Sequence, residues 1–172
     1  MKLELVIAPD ERLDTAVTKE WDFDNPQYDA KELKDAMIKI MVKNRGIGLS
    51  ANQVGIMDAR CFVFQNNQAN NDYDRNVLAL QPSYETVKEH PEVGMFEGCL
   101  SFPGITLNIV RPSRIRAQWK DEYGKQFEEE LFGYQARCFI HEMDHLNGIS
   151  MEEHVSPKVW KEAVANAEAK KT

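Results

Sequence analysis

The residues of this 172-residue chain best able to do chemistry are two histidines four apart, with a glutamate beside the first: His141-Glu142-x-x-His145. On a helix the two imidazoles stand one turn apart on one face, where they can hold a metal ion, and Glu142 is close enough to act as a base. Two ligands do not complete a catalytic centre, which usually has three protein ligands and one open position. The third must be a His, Cys, Asp or Glu brought in from elsewhere.

Three sources offer themselves. A glutamate on a following helix, the thermolysin-like solution, has little chain left to occupy. The pattern HExxHxxGxxH asks for a histidine at position 151, which is Met151; the next histidine, His154, reads as an ordinary exposed side chain. The better candidate is upstream, in MFEGCLSFPGI (95–105), where Cys99 lies in a turn beside Gly98. A thiolate is a soft ligand suited to zinc or ferrous iron. Residue type alone leaves Cys99 between that role and the role of a small buried apolar side chain, which is how Cys61 and Cys138 read.

The pair needs a helix to hold it. Phe139, Met143 and Leu146 recur at helical spacing over 134–146, with Gly148 just beyond, and apolar residues around much of the circumference predict burial. A first helix is expected over 30–44, with Leu33, Met37, Ile40 and Met41 on one face, a capping pair in Asp29 and Glu32, and Gly46 as the stop. A third starts at Ser156-Pro157 and carries Val159, Trp160, Ala163, Val164 and Ala167. Between the first two, CFVF (61–64), VLAL (77–80) and YETVK (84–88) read as short strands, and residues 113–132 as a hairpin turning at DEYG. QNNQANNDYDRN (65–76) reads as an exposed loop.

One helix, a run of strands, then helices is the order of an α+β fold. We expect one domain over residues 1–172. Antiparallel or mixed sheets would pack around a buried central metal-binding helix, with an N-terminal and a C-terminal helix. Asp144 reads as a carboxylate bracing the site, Glu128, Glu129 and Glu130 as a solvated strand edge, and Met37, Met41 and Met143 as core.

Composition excludes several classes. The net charge of −7, with no cluster of Lys and Arg, argues against a nucleic-acid groove, which needs a basic face. No apolar run approaches the roughly 18 residues of a membrane span, and the N-terminal run is too short for a signal peptide. Three cysteines without a CxxC pair read as reduced thiols in a cytoplasm. Gly46-x-Gly48-x-x-Ala51 formally fits a dinucleotide fingerprint, but it follows a helix stop rather than a strand.

Three segments together resemble the motifs of the peptide deformylase family: GIGLSANQ (46–53), EGCLS (97–101) and HEMDH (141–145), in the family's order. APDERL and RPSRIRAQWKDEYG are also similar, so the likeness covers most of the chain. Ser50 replaces the usual Ala, and Ile140 the usual Gln.

The resemblance implies that Cys99, His141 and His145 hold one divalent metal ion per chain, typically Fe2+, with Zn2+, Ni2+ or Co2+ able to substitute. Glu142 would be the base. The Gln53 side-chain amide and the Leu100 backbone N–H would face the developing oxyanion. Ile47, Gly48, Glu97 and Gly98 would contact an extended peptide pairing like an added strand. Cys138 and His141 would border a pocket for the methionine side chain. The implied reaction removes the formyl group of N-terminal formyl-methionine, releasing formate. The implied partners are formyl-methionyl peptides and nascent chains, and the ribosome that presents them; the protein is expected to be a cytoplasmic monomer that neither binds nucleic acid sequence-specifically nor enters a membrane. Two rivals are a zincin-type protease, which HEMDH alone would favour, and a relative that binds metal or peptide without turnover.

Overall fold

Phe139 decides where the His-Glu-x-x-His helix lies. In the structure, a computed structural model that describes residues 1–68 and 74–171, this ring meets Phe62 and Phe64 edge-on at centroid distances of 4.9 and 5.6 Å. The helix is α2 (Gly133–Leu146), and the two phenylalanines belong to β2 (Cys61–Gln65). Such aromatic pairs add about 0.5–1.5 kcal/mol each beyond the area they bury. With Phe139 facing the sheet, His141 and His145, about 200–240° further round at 100° per residue, face away from it.

The described elements follow the expected order. α1 (Ala30–Lys43) precedes β1 (Gly48–Ser50) and β2; then come β3 (Asn76–Thr86), β4 (Glu92–Cys99), β5 (Phe102–Pro112), β6 (Arg114–Lys120) and β7 (Gln126–Phe132); α2 and α3 (Pro157–Ala169) close the chain. Five strands form one sheet in the order β1-β2-β3-β6-β7, while β4 and β5 form a separate ribbon. All the pairings are antiparallel. This is an α+β fold, and the alternative of mixed pairing does not arise among the described strands.

Local chemistry explains the elements. β2 is buried on both faces, so its apolar run is continuous, whereas β6 alternates and turns Ile115, Ala117 and Trp119 inward. The hairpin turns where expected, with Gly124 at φ 81° and the Asp121 carboxylate accepting from the Tyr123 and Lys125 N–H groups. VLAL and YETVK are one strand, β3, rather than two. Its register breaks between Leu80 and Ser83, where Gln81 takes φ 49° and donates to the Trp21 carbonyl.

α1 ends one residue earlier than expected. Arg45, not Gly46, takes the left-handed turn at φ 59°, and the Gly46 N–H then reaches the Met41 carbonyl. Gly46 packs against the Leu100 side chain: a Cβ there would lie 2.7 Å from Leu100 Cδ1, a flexible end that would have to turn aside. α3 begins as read, with Pro157 in its first turn and the Ser156 hydroxyl accepting from the Val159 N–H. It packs on β5, where Trp160 meets Phe102 edge-on at 5.8 Å.

Residues 69–73 of the Asn-rich loop lie outside the described residues. The part described departs from a wholly exposed loop, because Asn66 is buried and donates to Glu129 on β7. Glu128, Glu129 and Glu130 lie on the edge strand β7, and Met37, Met41 and Met143 are in the core. No described helix is long and apolar enough to cross a membrane.

Candidate active site

Cys99 Sγ, His141 Nε2 and His145 Nε2 converge from two elements. Cys99 ends β4 just before the turn to β5, and both histidines project from α2. The three donor atoms lie within 4.8 Å of one another. Cys99 Sγ is 3.2 Å from His145 Nε2, which is 3.1 Å from His141 Nε2. One thiol and two imidazoles brought this close together suit a divalent transition metal.

The two imidazoles are pushed in opposite directions. Burial, then the neighbouring His141, hold His145 well below the usual histidine range, so its ring is neutral and can offer a lone pair. Burial also disfavours charge on His141, but Cys99 and Glu97 outweigh it and raise its pKa well above the ordinary value.

The orientation of His141 is set by Glu97. Glu97 Oε1 lies 2.9 Å from His141 Nδ1, which leaves Nε2 facing the donor cluster. Arg111 grips the same carboxylate twice, through Nε at 2.6 Å and Nη2 at 2.9 Å, and Arg137 Nη1 adds a third bond. Arg137 also donates to the Ile109 and Val93 carbonyls, so it ties α2 to the β4–β5 ribbon. Burial pushes the pKa of Glu97 up, yet the His141 and Arg111 bonds outweigh it and hold it well below the carboxylate range. Ile140 is buried in the main core, and His141 draws its support from Glu97 without an amide at position 140.

Glu142 Oε2 is buried with no hydrogen-bond partner among the described residues, and burial raises the Glu142 pKa to about 7. An ionisable oxygen beside three metal donors, unpaired and near neutrality, is equipped to take and return a proton. Gly48 on β1 packs against this carboxylate so closely that a Cβ would lie 2.7 Å from Oε1.

Gln53 is locked by its own turn. Its Oε1 accepts from the Ser50 N–H at 3.0 Å and lies 3.0 Å from the Ser50 hydroxyl, while Nε2 points to Cys99 Sγ at 3.4 Å and Ser101 Oγ at 3.1 Å. The Ser50 hydroxyl lies between two acceptors, Gln53 Oε1 at 3.0 Å and Asn52 Oδ1 at 2.9 Å, so its one proton is shared between them. Asn52 ties the same turn to α2 by donating to the His145 carbonyl at 2.6 Å.

A cleft of about 620 Å³ opens over these groups. Gly46, Ile47 and Gly48 line one wall, and Glu97, Gly98 and Leu100 the other; Cys138, His141 and Glu142 lie between. Among the described residues β1 has a strand partner on one side only, and so does β4, so two strand edges border the cleft. Ile47 is 46% exposed, and Phe96 and Tyr134, 69% and 60% exposed, add apolar surface.

The ten residues expected to hold metal, act on the formyl group or contact the peptide thus gather in one place. The Glu97 carboxylate faces His141 and two arginines, which leaves its main chain for a peptide contact. Cys138 and Cys61 are buried thiols, as read, and Cys138 also borders the cleft. Asp144 braces the site through Arg111 Nη1 at 2.8 Å. His154, read as an ordinary surface residue, is bonded to Asp144 at 2.8 Å.

Arg111, Arg137, Asn52 and Ser101 were missed. A signal existed for the arginines: Arg111 falls in step with the inward-facing Leu107 and Ile109 of β5, and Arg137 stands one turn before His141.

The fold and the Cys/His/His group suit a metal-assisted hydrolase. A sequence profile described as polypeptide deformylase matches residues 2–160. The chain belongs to the polypeptide deformylase family, metal-dependent enzymes that remove the N-formyl group from newly made peptides. It is 39% identical to a peptide deformylase of Thermotoga maritima over 127 residues, covering 74% of this chain and 73% of that protein. It is 32% identical to one from Wolbachia sp. subsp. Drosophila simulans over 172 residues, covering 96% and 94%. A Synechococcus relative, strain RCC307, is 36% identical over 134 residues, which span 75% of this chain but only 63% of that longer protein. The crystal structure of the Legionella pneumophila peptide deformylase superposes with a TM-score of 0.82 at 29% identity, over 99% of this chain and 96% of that one.

Proposed function

We propose that Cys99, His141 and His145 hold one divalent cation, Fe2+ in the native protein, and that the surrounding residues use it to hydrolyse N-formyl-methionyl peptides. The observation that carries this reading is the convergence of those three donors beside the unpaired oxygen of Glu142, at the floor of a cleft bordered by two strand edges. When bound, the cation supplies Lewis acidity, polarising the formyl oxygen and bringing the pKa of water toward neutrality.

The chain does the rest. The peptide lies between β1 and β4 as an added strand, contacting the main chains of Ile47, Gly48, Glu97 and Gly98. The methionine side chain enters beside Cys138 and His141. Glu142 accepts a proton from the attacking water and delivers it to the departing amine nitrogen. The Gln53 Nε2 group and the Leu100 N–H donate to the formyl oxygen as charge builds on it; loss of one such donor typically costs about 2.7–4 kcal/mol of barrier. Formate and a free methionine N-terminus result. Residues 1–172 work as one domain, a monomer acting in a cytosol where synthesis starts with formyl-methionine, on chains presented by the ribosome.

The test is formate release from formyl-Met-Ala-Ser by protein purified without oxygen, beside Glu142→Ala and with metal content measured on both. Release that vanishes in the variant at unchanged metal content supports the reading. No release from fully loaded wild-type protein would sink it. Cys99→Ser separates the protease rival, which has no need of that thiol.

A further inference from the structure

The hydrogen bonds that orient His141 do not stop at Glu97. Arg111 carries a third donor, Nη1, and aims it at Asp144 Oδ2, 2.8 Å away. The same oxygen lies 2.8 Å from Nε2 of His154. The result is an unbroken line, His154–Asp144–Arg111–Glu97–His141, running from the surface to a metal-binding ring. The outer end is the more exposed: the side chain of His154 is 28% exposed and that of Asp144 15%, while Arg111, Glu97 and His141 are 3%, 5% and 11%.

An exposed ion pair contributes little by itself. This one differs in what hangs on it. Asp144 is the only carboxylate besides Glu97 that Arg111 reaches among the described residues. Arg111 in turn supplies two of the bonds that hold Glu97 at His141. In a buried chain of this kind each bond polarises the next, and a loose end is felt inward. His154 is itself held in place, in the turn Met151–His154 that starts with a reciprocal cap between Ser150 and Glu153, the Ser150 N–H donating to Glu153 Oε2 at 2.8 Å.

We propose that His154 is a positioning residue for the metal centre: by fixing Asp144 it fixes Arg111 and Glu97, and through them the ring angle of His141. This rests on the reading of Cys99, His141 and His145 as metal ligands.

The experiment follows metal release, not turnover. Zinc-loaded wild-type protein, His154→Leu and His154→Gln are mixed with excess chromophoric chelator, and transfer of zinc is timed; the melting temperatures of the metal-free proteins are measured in parallel. Leucine removes the donor, whereas glutamine keeps an N–H at similar reach. The expected result is release about 10-fold faster in His154→Leu, the lower end of what partners behind a ligand contribute. His154→Gln should stay within about twofold of wild type, with metal-free melting temperatures of all three within about 2 °C, less than a 1 kcal/mol loss produces at this size. Release from His154→Leu at the wild-type rate overturns the proposal. So does equally fast release from both variants, or a matching drop in metal-free stability. Wild-type protein that takes up no zinc overturns the metal reading as well, which is a distinct outcome.

Discussion

Gly48→Ala tests the position of the base without touching a metal donor or the base itself. A Cβ at Gly48 would lie 2.7 Å from Glu142 Oε1, 3.0 Å from Glu142 Cδ and 2.9 Å from Cys138 Sγ. Ordinary contact begins at 3.4 Å, so the oxygen must retreat by about 0.7 Å. Neither backbone can give way easily. Gly48 is paired to Phe64 in the sheet, and α2 is anchored by Phe139 in the aromatic core. The strain therefore falls on the Glu142 side chain. Displacing a reacting group by about 1 Å costs about 100-fold, which corresponds to about 2.7 kcal/mol of barrier. Overpacking should also remove about 1–3 kcal/mol of stability. The assay is formate release over a range of formyl-peptide concentrations, with metal content checked. We expect the fall in kcat, with metal content unchanged. Gly46→Ala is the control: its Cβ meets the Leu100 side chain, at 2.7 Å from Cδ1 and 3.3 Å from Cγ, and not the Glu142 carboxylate. A kcat for Gly48→Ala within about threefold of wild type would refute the argument, and so would a loss confined to KM.

Three further outcomes follow from the same contacts. Glu97→Gln leaves Arg111, Arg137 and His141 without their shared charge and should cost about 3–5 kcal/mol of stability at pH 7. Because the folded pKa of Glu97 is depressed, this contribution is fully present above the unfolded value of about 4.3 and is lost as the pH falls through the folded value. Denaturant melts at pH 7 and pH 3 should therefore show the gap between variant and wild type narrowing in acid; a constant gap would contradict the assignment. Ser50→Ala removes the hydroxyl near Gln53 Oε1 but keeps the backbone bond to it, so it should cost about 1 kcal/mol of stability and lower kcat less than about tenfold at unchanged KM; an unaltered kcat would show that the hydroxyl does not steer the amide. Burial, with Asp58 adding to it, pushes the Cys61 thiol up to about 12, and burial raises Cys138 well above its usual value. Mass spectrometry after brief iodoacetamide treatment of the folded, metal-stripped protein at pH 8 should find a single adduct, on Cys99, and three adducts after unfolding. Early labelling of Cys61 would mean that β2 opens far more readily than its burial implies.

What could be read in the sequence was whatever depends on short-range pattern. The spacing of His141 and His145 requires only a helix to become a metal-binding face, and Phe139, Met143 and Leu146 announce both that helix and its buried side. The Ser156-Pro157 start of α3 and the DEYG turn are equally local. β4 and β5 were not legible, because glycines at 94, 98 and 104 and prolines at 103 and 112 break the strand pattern while a long antiparallel pairing restores it. That ribbon brings Cys99 to α2 and places Arg111 behind Glu97, so missing it hid the lattice of charges around His141. Glu97 shows the limit most clearly. Its place in EGCLS marks it as a residue of the site, but whether its carboxylate faces the peptide or the imidazole depends on two arginines 14 and 40 positions away in sequence. Each arginine carries a sign of its inward position, but nothing in the sequence says what neutralises it. Only the fold brings them together, and once they are buried a carboxylate between them is required, because a guanidinium withdrawn from water is tolerated only when paired. The orientation of His141 is thus a consequence of how Arg111 and Arg137 are neutralised. The proposed metal site and the electrostatics of the core are one arrangement, and a substitution that disturbs either should be felt in both.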